Sequence, residues 1–392
     1  MNPEHFLSQS VQSIPPSAIR RFFDLANEMK GQVISLSIGE PDFVTPWSIR
    51  DAGIYSLEMG HTHYSPNPGY LELRESIAQY LQARFHLAYD PQTEIVATVG
   101  GSEAIDLMIR AVINPGDEVI IPEPCFVAYK ACVQLVGGIP VPIACRVEND
   151  FKLTPDQLNE AITPKTKLLV LGYPNNPTGA VLNQKEVLAL ADVIRDKPVL
   201  TLSDELYAEL TYEPAQHFSI ASAPGMREKT VVVNGFSKAF AMTGWRIGFA
   251  CGPSSILSAM NKIHQYAIMC SPSMAQEAAI EALRDSERHV ASMREEYNRR
   301  RRFVVHACHA AGLDCFEPMG AFYVFPDIRS TGLSSNAFCE RFLQEEKVAI
   351  IPGNAFGDSG EGFVRISYAA SMENIREAMD RLKRFVERRN NS

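Results

Sequence analysis

The stretch TVVVNGFSKAFAMTGWRIGFA, residues 230–250, places two basic side chains inside a segment that is otherwise apolar and punctuated by glycine. Its β-branched run, residues 231–233, predicts a buried strand that ends at an Asn-Gly turn. Lys238 follows that turn, and Arg246 lies further along. A lysine at the end of a buried strand loses hydration, which lowers its pKa and frees the amine as a nucleophile. A lysine that extends into solvent would produce the same pattern, so Lys238 alone does not decide between the two interpretations.

The composition of the chain excludes several classes of protein. The 392 residues are 46% hydrophobic and 21% charged, as in ordinary globular proteins, and the length suggests about two domains. A net charge of −9 disfavours a general nucleic-acid binder. No apolar run reaches the ~18 residues of a membrane helix, and the first residues lack the pattern of a signal peptide. The eight cysteines form no CxxC pair, so we expect a cytoplasmic protein with reduced thiols and no membrane partner.

Two segments resemble binding motifs but favour a simpler interpretation. The run Arg299–Arg302 is flanked by acidic residues at helical spacing, which predicts one solvated helix rather than a nucleic-acid site. The segment HACHAAGLDC, residues 306–315, contains histidine and cysteine without paired ligand spacing. This segment is predicted to be the C-terminal end of the same helix, which Gly312 terminates, and we expect no metal site.

From about residue 95, the alternation of strand-like and helix-like segments predicts an α/β fold. The apolar runs DEVIIPEP, KLLVLGYP and PVLTLSDE predict strands, while SEAIDLMIRAVI and QKEVLALADVIRDK predict helices between strands. Short continuous apolar strands separated by helices favour a largely parallel sheet that is buried on both faces. After about residue 285 a long polar helix, short strands and a terminal helix indicate a smaller α+β domain.

Polar groups follow four of the predicted strands, where ligands of parallel sheets bind. These groups are GGSE at residues 100–103, Asn175-Asn176, Asp204 and Lys238. GGSE opens a helix whose free N–H groups favour a phosphate, and Arg246 can complete a phosphate clamp. The chain has neither GxGxxG nor GxxxxGK[ST], so a dinucleotide or nucleoside triphosphate is not indicated. Asp204 either pairs with a cation, such as a protonated ring nitrogen or an arginine, or caps a helix. Together the groups predict a phosphorylated cofactor with an aldehyde and a nitrogen ring.

Motifs along nearly the whole chain carry a family resemblance. NGFSKAFAMTGWRIG resembles the lysine signature of class I/II aminotransferases, the fold-type I family that depends on pyridoxal 5′-phosphate (PLP). The other motifs follow in the family's order: SIGEPDF from residue 37, YSPNPGYLELRESI from 64, TVGGSEAI from 98, YPNNPTG from 173, SDELYAEL from 203, GAFYVFP from 320 and RISYA from 365. The sequence is most similar to the branch with aspartate, aromatic and kynurenine aminotransferases, and to bacterial members assigned to N-acetyl-diaminopimelate.

The resemblance implies a fold and a domain organisation. A large PLP-binding domain, residues 46–285, is expected to hold a mostly parallel mixed sheet sandwiched by helices. Residues 286–392 are expected to form the smaller α+β domain. Residues 1–45 are expected to form an N-terminal arm and a segment that packs with the small domain. Tyr64 matches a tyrosine that reaches the phosphate of the neighbouring subunit, which implies a homodimer with shared active sites.

The resemblance also implies roles for residues at the cofactor. Lys238 matches the lysine that holds PLP as an internal aldimine and later moves a proton. Asp204 matches the carboxylate that pairs with the ring nitrogen, while Asn176 and Tyr207 match donors to the ring's phenolic oxygen. Phe126 aligns with an aromatic residue that stacks on the ring, with Cys125 as the adjacent candidate. The residues expected at the phosphate are Gly101, Ser102, Glu103, Ser237 and Arg246.

The substrate is expected at a different group. Arg365 matches the arginine that binds the substrate α-carboxylate, a bidentate task that suits its planar fork. Gly39 and Asn176 are expected beside that carboxylate. Two positions depart from the pattern. Gly235 stands where many relatives have a serine for the phosphate, and Ser102 stands where some aspartate-using relatives have a lysine, which weakens an aspartate-only interpretation.

The resemblance implies an aminotransferase that moves an α-amino group from an L-amino acid to a 2-oxo acid such as 2-oxoglutarate. The alternative is a PLP-dependent C–S β-lyase of the cystathionine type, which would use the same residues. A non-catalytic PLP-binding regulator is a less favoured interpretation, since such proteins carry an added DNA-binding module and only about 30 residues precede SLSIGEPDF in this sequence.

Overall fold

The computed structural model describes residues 3–15, 22 and 33–390. Within these ranges the strands are β1 Ile34–Ser35, β2 Ile95–Thr98, β3 Glu118–Glu123, β4 Ile139–Ala144, β5 Thr166–Gly172, β6 Leu200–Asp204, β7 Thr230–Gly235, β8 Gly248–Cys251, β9 Tyr323–Val324, β10 Val348–Ala349, β11 Ile351–Pro352 and β12 Val364–Ser367. The α-helices are α1 Gln9–Gln12, α2 Trp47–Glu58, α3 Leu71–Phe85, α4 Gly100–Val112, α5 Ala128–Leu135, α6 Pro155–Ala161, α7 Gln184–Ile194, α8 Ser254–Ala267, α9 Ser273–Arg284, α10 Ser286–Ala310, α11 Ser335–Glu346 and α12 Met372–Asn390.

A seven-stranded sheet forms the centre of the fold, with the strand order β2-β8-β7-β6-β5-β3-β4. Its neighbouring strands are parallel except at β8, which runs antiparallel to both β2 and β7. Alternate residues of β5 enter two different hydrophobic clusters, Leu169 and Leu171 on one face and Leu168 and Val170 on the other. Burial on both faces explains the continuous apolar runs. The predicted α/β fold with a mostly parallel, mixed sheet is confirmed.

The register of this sheet brings the strand ends to one edge. Gly172 at the end of β5 pairs with Asp204 at the end of β6, and Asp204 pairs with Val233 of β7. Because β8 runs in the opposite direction, the residues before it lie at this same edge. Arg246, two positions before β8 begins, therefore lies near the carboxyl end of β7, since Gly248 pairs with Gly235.

A second set of short strands lies in the C-terminal third of the chain. The strands β9, β11 and β12 form an antiparallel sheet in which β12 is central. The N-terminal strand β1 pairs in parallel with β10. The segment that precedes the large sheet is thus hydrogen-bonded to the C-terminal region. The predicted boundaries at residues 45 and 285 stay a prediction, and residues 1–2, 16–21 and 23–32 of the predicted N-terminal arm lie outside the described residues.

The arginine run corrects one expectation. All four residues lie on α10, but Arg300 and Arg301 are only 6% and 4% exposed, so the prediction of a solvated run was wrong for these two. The Arg300 guanidinium contacts Asp42 and Glu296, each at 2.8 Å, and Arg301 contacts Glu317 at 2.8 Å. Carboxylates supplied by other segments allow both guanidinium groups to be buried.

Two general properties of the described residues bear on the earlier expectations. No helix in the described part of the chain combines the length and the apolar character needed to cross a membrane. The eight cysteines are all free thiols.

Candidate active site

A cavity of about 380 Å³ opens where the strand ends meet. Its walls come from the edge of the large sheet, from residues 38–40 and from the three-stranded sheet. The predicted site residues that line it are Gly39, Gly101, Ser102, Phe126, Asn176, Asp204, Tyr207, Ser237, Lys238, Arg246 and Arg365. Residues spread over more than 300 positions of the sequence are thus brought into one pocket.

Lys238 lies just after β7 and points into this cavity. Its Nζ donates a hydrogen bond to the Gly39 carbonyl at 2.6 Å, and the rings of Tyr207 and Phe322 lie 5.8 Å from Nζ. Burial lowers the pKa of the Lys238 amine to about 8. Arg365 and Arg246 contribute to this lowering of the pKa, while Glu40 and Asp204 oppose it. Roughly a tenth to a fifth of this amine is therefore neutral near physiological pH, far more than at its ordinary pKa of 10.5, and the neutral form is the nucleophile.

Asp204 occupies the end of β6, and both of its carboxylate oxygens are held. Tyr129 Oη donates to Oδ2 at 2.6 Å, and the Leu206 backbone N–H donates to Oδ1 at 3.2 Å. Burial raises the pKa of the Asp204 carboxyl, and these two hydrogen bonds lower it. The carboxylate thus lies at the cavity wall in a fixed orientation, ready to pair with a cationic ring nitrogen.

The N-terminus of α4 and Arg246 form one end of the cavity. A Cβ added at Gly100 would lie 2.8 Å from Arg246 Nη2, so the absence of a side chain lets the guanidinium approach the helix start. Arg246 has a φ of 53°, in the left-handed region, and its Nη1 donates to the Thr243 carbonyl at 2.8 Å. Helix N–H groups, a guanidinium and the hydroxyls of Ser102 and Ser237 suit a phosphate.

Arg365 is a buried cation without a carboxylate partner among the described residues. It is 2% exposed and lies on β12. Its Nη2 donates to the Ser37 carbonyl at 2.6 Å and its Nη1 to Asn176 Oδ1 at 3.0 Å. The rings of Tyr323 and Phe356 lie 4.5 and 4.8 Å from its Cζ. Within the described chain its Nε has no hydrogen-bond partner, and burial lowers the pKa of the guanidinium. A carboxylate ligand would satisfy both the charge and this donor.

Three predicted residues lie outside the cavity wall. Glu103 accepts a hydrogen bond from the Val99 N–H at 2.5 Å and contacts His264 Nδ1 at 2.8 Å, so its side chain is engaged away from the cavity. Tyr64 is 80% exposed, and its role toward a neighbouring subunit stays a prediction. Cys125 is buried, while its neighbour Phe126 lines the cavity.

The sequence reasoning missed two tyrosines at the site. Tyr129 reaches Asp204, and Tyr323 Oη lies 2.8 Å from Tyr207 Oη while its ring covers Arg365. Tyr323 stands inside the quoted motif GAFYVFP, and Tyr129 lies three positions after Phe126. A helix-face argument from Phe126 would not have found Tyr129, because Phe126 precedes the first residue of α5, Ala128.

Comparisons with known proteins agree with this geometry. The family described as aminotransferase class I and II matches residues 31–382. YugH of Bacillus subtilis (strain 168), whose name places it among the aminotransferases, is 53% identical over 97% of this chain and 98% of its own. An aspartate aminotransferase of Pyrococcus abyssi is 46% identical over 97% of this chain and 98% of its own.

A solved structure extends the agreement to the fold. The aromatic aminotransferase from Pyrococcus horikoshii OT3 is 45% identical, covers 95% of this chain and 100% of its own, and superposes with a TM-score of 0.90. Nothing in these comparisons supports the C–S β-lyase alternative. The chain therefore belongs to the class I and II aminotransferases, as the motifs predicted, and it is a fold-type I enzyme of this PLP-dependent family.

Proposed function

We propose that the chain binds PLP at Lys238 and transfers the α-amino group of an L-amino acid to a 2-oxo acid, with 2-oxoglutarate as the acceptor. One observation carries this proposal. A single cavity holds an amine whose pKa is lowered to about 8, an oriented carboxylate and a buried arginine without a carboxylate partner among the described residues. These are the three groups that an amine exchange at an aldehyde requires.

The groups around the cavity fit PLP in chemical type. The start of α4, with Ser102, Ser237 and Arg246, would hold the phosphate. Asp204 would pair with the ring nitrogen, Asn176 and Tyr207 would donate to the phenolic oxygen, and Phe126 would cover the ring. When bound, PLP supplies an aldehyde that condenses with amines and a ring that withdraws electrons from the substrate α-carbon.

Lys238 is the group that moves the proton. When its amine is free, Nζ would take a proton from the substrate α-carbon and would deliver that proton to the cofactor carbon that carried the aldehyde. Its pKa of about 8 suits both halves of this task, since a general base works best when its pKa lies near the operating pH. The Gly39 carbonyl, 2.6 Å from Nζ, provides a resting partner for the amine.

Arg365 orients the substrate. Its guanidinium is held by the Ser37 carbonyl and by Asn176, and the rings of Tyr323 and Phe356 pack against it. A substrate α-carboxylate bound there receives charge-assisted hydrogen bonds in an environment with little water. Residues 286–392, together with the segment around Gly39, form a unit that can close over this carboxylate.

We also propose a homodimer, working in the cytoplasm, in which Tyr64 reaches the partner's phosphate. Exposed aromatic residues support this assembly, since Trp47, Tyr64 and Tyr266 are 61%, 80% and 83% exposed. Asn67 Nδ2 donates to the Met269 carbonyl at 2.8 Å, which joins the segments that carry Tyr64 and Tyr266. Exposed apolar area of this kind is typical of an interface. Sedimentation velocity of the PLP-loaded protein should give twice the chain mass, and a monomer would refute this assembly.

A half-reaction screen tests the proposed activity. The purified PLP-loaded protein is mixed with single L-amino acids, and absorbance follows conversion of the cofactor to its pyridoxamine form. At least one amino acid should convert it, and 2-oxoglutarate should restore it. Lys238→Ala should abolish the conversion, while Lys185→Ala, an exposed lysine on α7, should leave it unchanged. Turnover retained by Lys238→Ala, or pyruvate and ammonia released from cystathionine without a 2-oxo acid, would refute the proposal.

A further inference from the structure

We propose that Tyr129 is a positioning residue, which fixes the Asp204 carboxylate in the orientation and the charge state needed to pair with the ring nitrogen of PLP. This inference rests on the proposed function of the cavity. It assigns a task to a side chain that the family motifs did not single out, and it follows from three contacts of the Tyr129 phenol.

The first contact is the hydrogen bond to the acid. Tyr129 belongs to α5, is 3% exposed, and donates from Oη to Asp204 Oδ2 at 2.6 Å. The Leu206 N–H holds the other carboxylate oxygen at 3.2 Å. Two donors on two different oxygens fix the rotation of the carboxylate about its Cβ–Cγ bond. The face of Asp204 that lines the cavity is thereby presented in one orientation.

The second contact explains the absence of a side chain on the neighbouring strand. Gly172 ends β5 and is the register partner of Asp204. A Cβ added at Gly172 would lie 2.6 Å from Tyr129 Oη, which is closer than van der Waals contact allows. The phenol therefore reaches Asp204 through the space that this glycine leaves open.

The third contact joins Tyr129 to the ring-binding surface. Its ring packs edge-to-face against Phe126, with centroids 5.7 Å apart and an interplanar angle of 85°. Phe126 is the residue expected to cover the cofactor ring, and both aromatic residues line the cavity. One side chain thus supports both the acid and the predicted stacking partner.

The electrostatic setting makes the phenol a permanent donor. Burial raises the pKa of Tyr129 well above its usual range, and the nearby Asp204, Cys125 and Tyr207 raise it further. The phenol therefore keeps its proton at any pH at which the protein works. A donor that does not ionise stabilises the charged form of its acceptor.

The charge state of Asp204 depends on a small group of neighbours. Burial raises the pKa of its carboxyl, and Glu205 acts in the same direction. Tyr129 from α5, the Leu206 N–H and Lys238 after β7 all lower it. Loss of the Tyr129 hydroxyl therefore raises the pKa of Asp204 and favours its neutral form. A neutral carboxyl no longer stabilises a protonated ring nitrogen.

The experiment compares two cofactors in two variants. Tyr129→Phe removes the hydroxyl and keeps the ring against Phe126. Tyr80→Phe is the matched control, because Tyr80 is also buried and donates to a carboxylate, Glu209 Oε1 at 2.8 Å, away from the cavity. The ligands are PLP and its analogue with the ring nitrogen replaced by carbon, and absorbance titration of cofactor-free protein gives each Kd.

The expected result is a selective loss. Tyr129→Phe should raise the Kd for PLP by roughly 10- to 100-fold, the usual range for a hydrogen bond to a charged group, while it changes the Kd for the analogue much less. In the pH dependence of kcat, the acidic limb should move to higher pH, because the pKa of Asp204 rises. Tyr80→Phe should leave both the Kd ratio and the profile unchanged.

Two outcomes would overturn the inference. Equal weakening of PLP and of its analogue, or an acidic limb that does not move, would make Tyr129 a purely structural residue. Gly172→Ala provides a second test if Tyr129→Phe does not fold. Its added methyl group displaces the Tyr129 Oη, and it should likewise raise the Kd for PLP more than the Kd for the analogue. If the unmodified protein bound no PLP, the proposed function itself would fail, and this result is distinct from an unchanged preference in the variants.

Discussion

Arg300 and Arg365 are both buried arginines, but their surroundings differ. Arg300 is 6% exposed and contacts the carboxylates of Asp42 and Glu296. Arg365 is 2% exposed, and its partners among the described residues are a carbonyl, an amide oxygen and two aromatic rings. A buried charge that keeps its counter-ion contributes to the fold, whereas one without a carboxylate partner is an unfavourable arrangement that an anionic ligand can relieve.

The two arginines therefore have different tasks, Arg300 in the stability of the fold and Arg365 in the binding of a ligand. Arg300 on α10 joins the segment that contains Asp42 to the C-terminal region, where it also reaches the Tyr368 carbonyl. Arg365 faces the cavity that contains Lys238. Substitution of the first should therefore act on the free energy of unfolding, and substitution of the second on kcat/KM.

The largest effect is expected at Arg365. Arg365→Met should lower kcat/KM for the amino acid about 1,000-fold, equivalent to ~4 kcal/mol, because the substrate carboxylate loses its bidentate partner. The free energy of unfolding of the cofactor-free variant should not fall, since an unneutralised buried charge is removed. Steady-state kinetics and urea denaturation measure the two effects. A loss of kcat/KM below tenfold would contradict the assignment of Arg365 to the substrate.

A smaller effect, on stability, is expected at Arg300. Arg300→Met leaves Asp42 without a cation among the described residues, while Glu296 keeps the exposed Arg299, and it should lower the free energy of unfolding by about 2–3 kcal/mol because both carboxylates are partly exposed. Arg299→Met is the matched control, since this neighbouring side chain is 68% exposed and should change stability by less than about 0.5 kcal/mol. Equal effects of the two substitutions in urea denaturation would remove the distinction between buried and exposed members of the run.

The smallest effect concerns Lys238, whose pKa is lowered from its ordinary 10.5 to about 8 in the folded chain. Lys238→Met should stabilise the cofactor-free protein at pH 7 by roughly 1–3 kcal/mol, because a charged buried amine is removed. Between pH 8 and 10.5 the unfolded chain binds more protons at this site, so the stability of the unsubstituted protein rises with pH. The advantage of the variant should therefore shrink toward pH 10. A constant advantage from pH 7 to 10 would mean that the Lys238 amine is not perturbed.

Much of the site could be predicted from the sequence because it is built at strand ends. Asp204 and Lys238 follow apolar runs that are recognisable without a structure, and parallel strands place such ends at one edge. Order and spacing of the motifs then gave the family. Arg246 could be proposed for the phosphate from its residue type, but its place at this edge could not be derived, since the antiparallel direction of β8 is not visible in its short apolar run.

What the sequence could not supply are the contacts between distant segments. One of the two carboxylate partners of Arg300, Asp42, lies 258 positions away, so the local spacing to Glu296 alone suggested a solvated residue. Tyr129 and Asp204 are 75 positions apart, and Glu103 and His264 are 161 positions apart. Each pairing depends on how helices pack on the sheet, and no local pattern encodes that packing.

The central claim is that the Lys238 amine forms a bond with the aldehyde of PLP. Borohydride reduction of the PLP-saturated protein, followed by digestion and mass spectrometry, locates the reduced bond directly. The account predicts a pyridoxyl group on Lys238 and none on Lys229, a partly buried lysine whose amine donates to the Ile194 and Arg195 carbonyls at 2.7 and 2.9 Å. A protein labelled at another lysine, or not labelled at all, would contradict it.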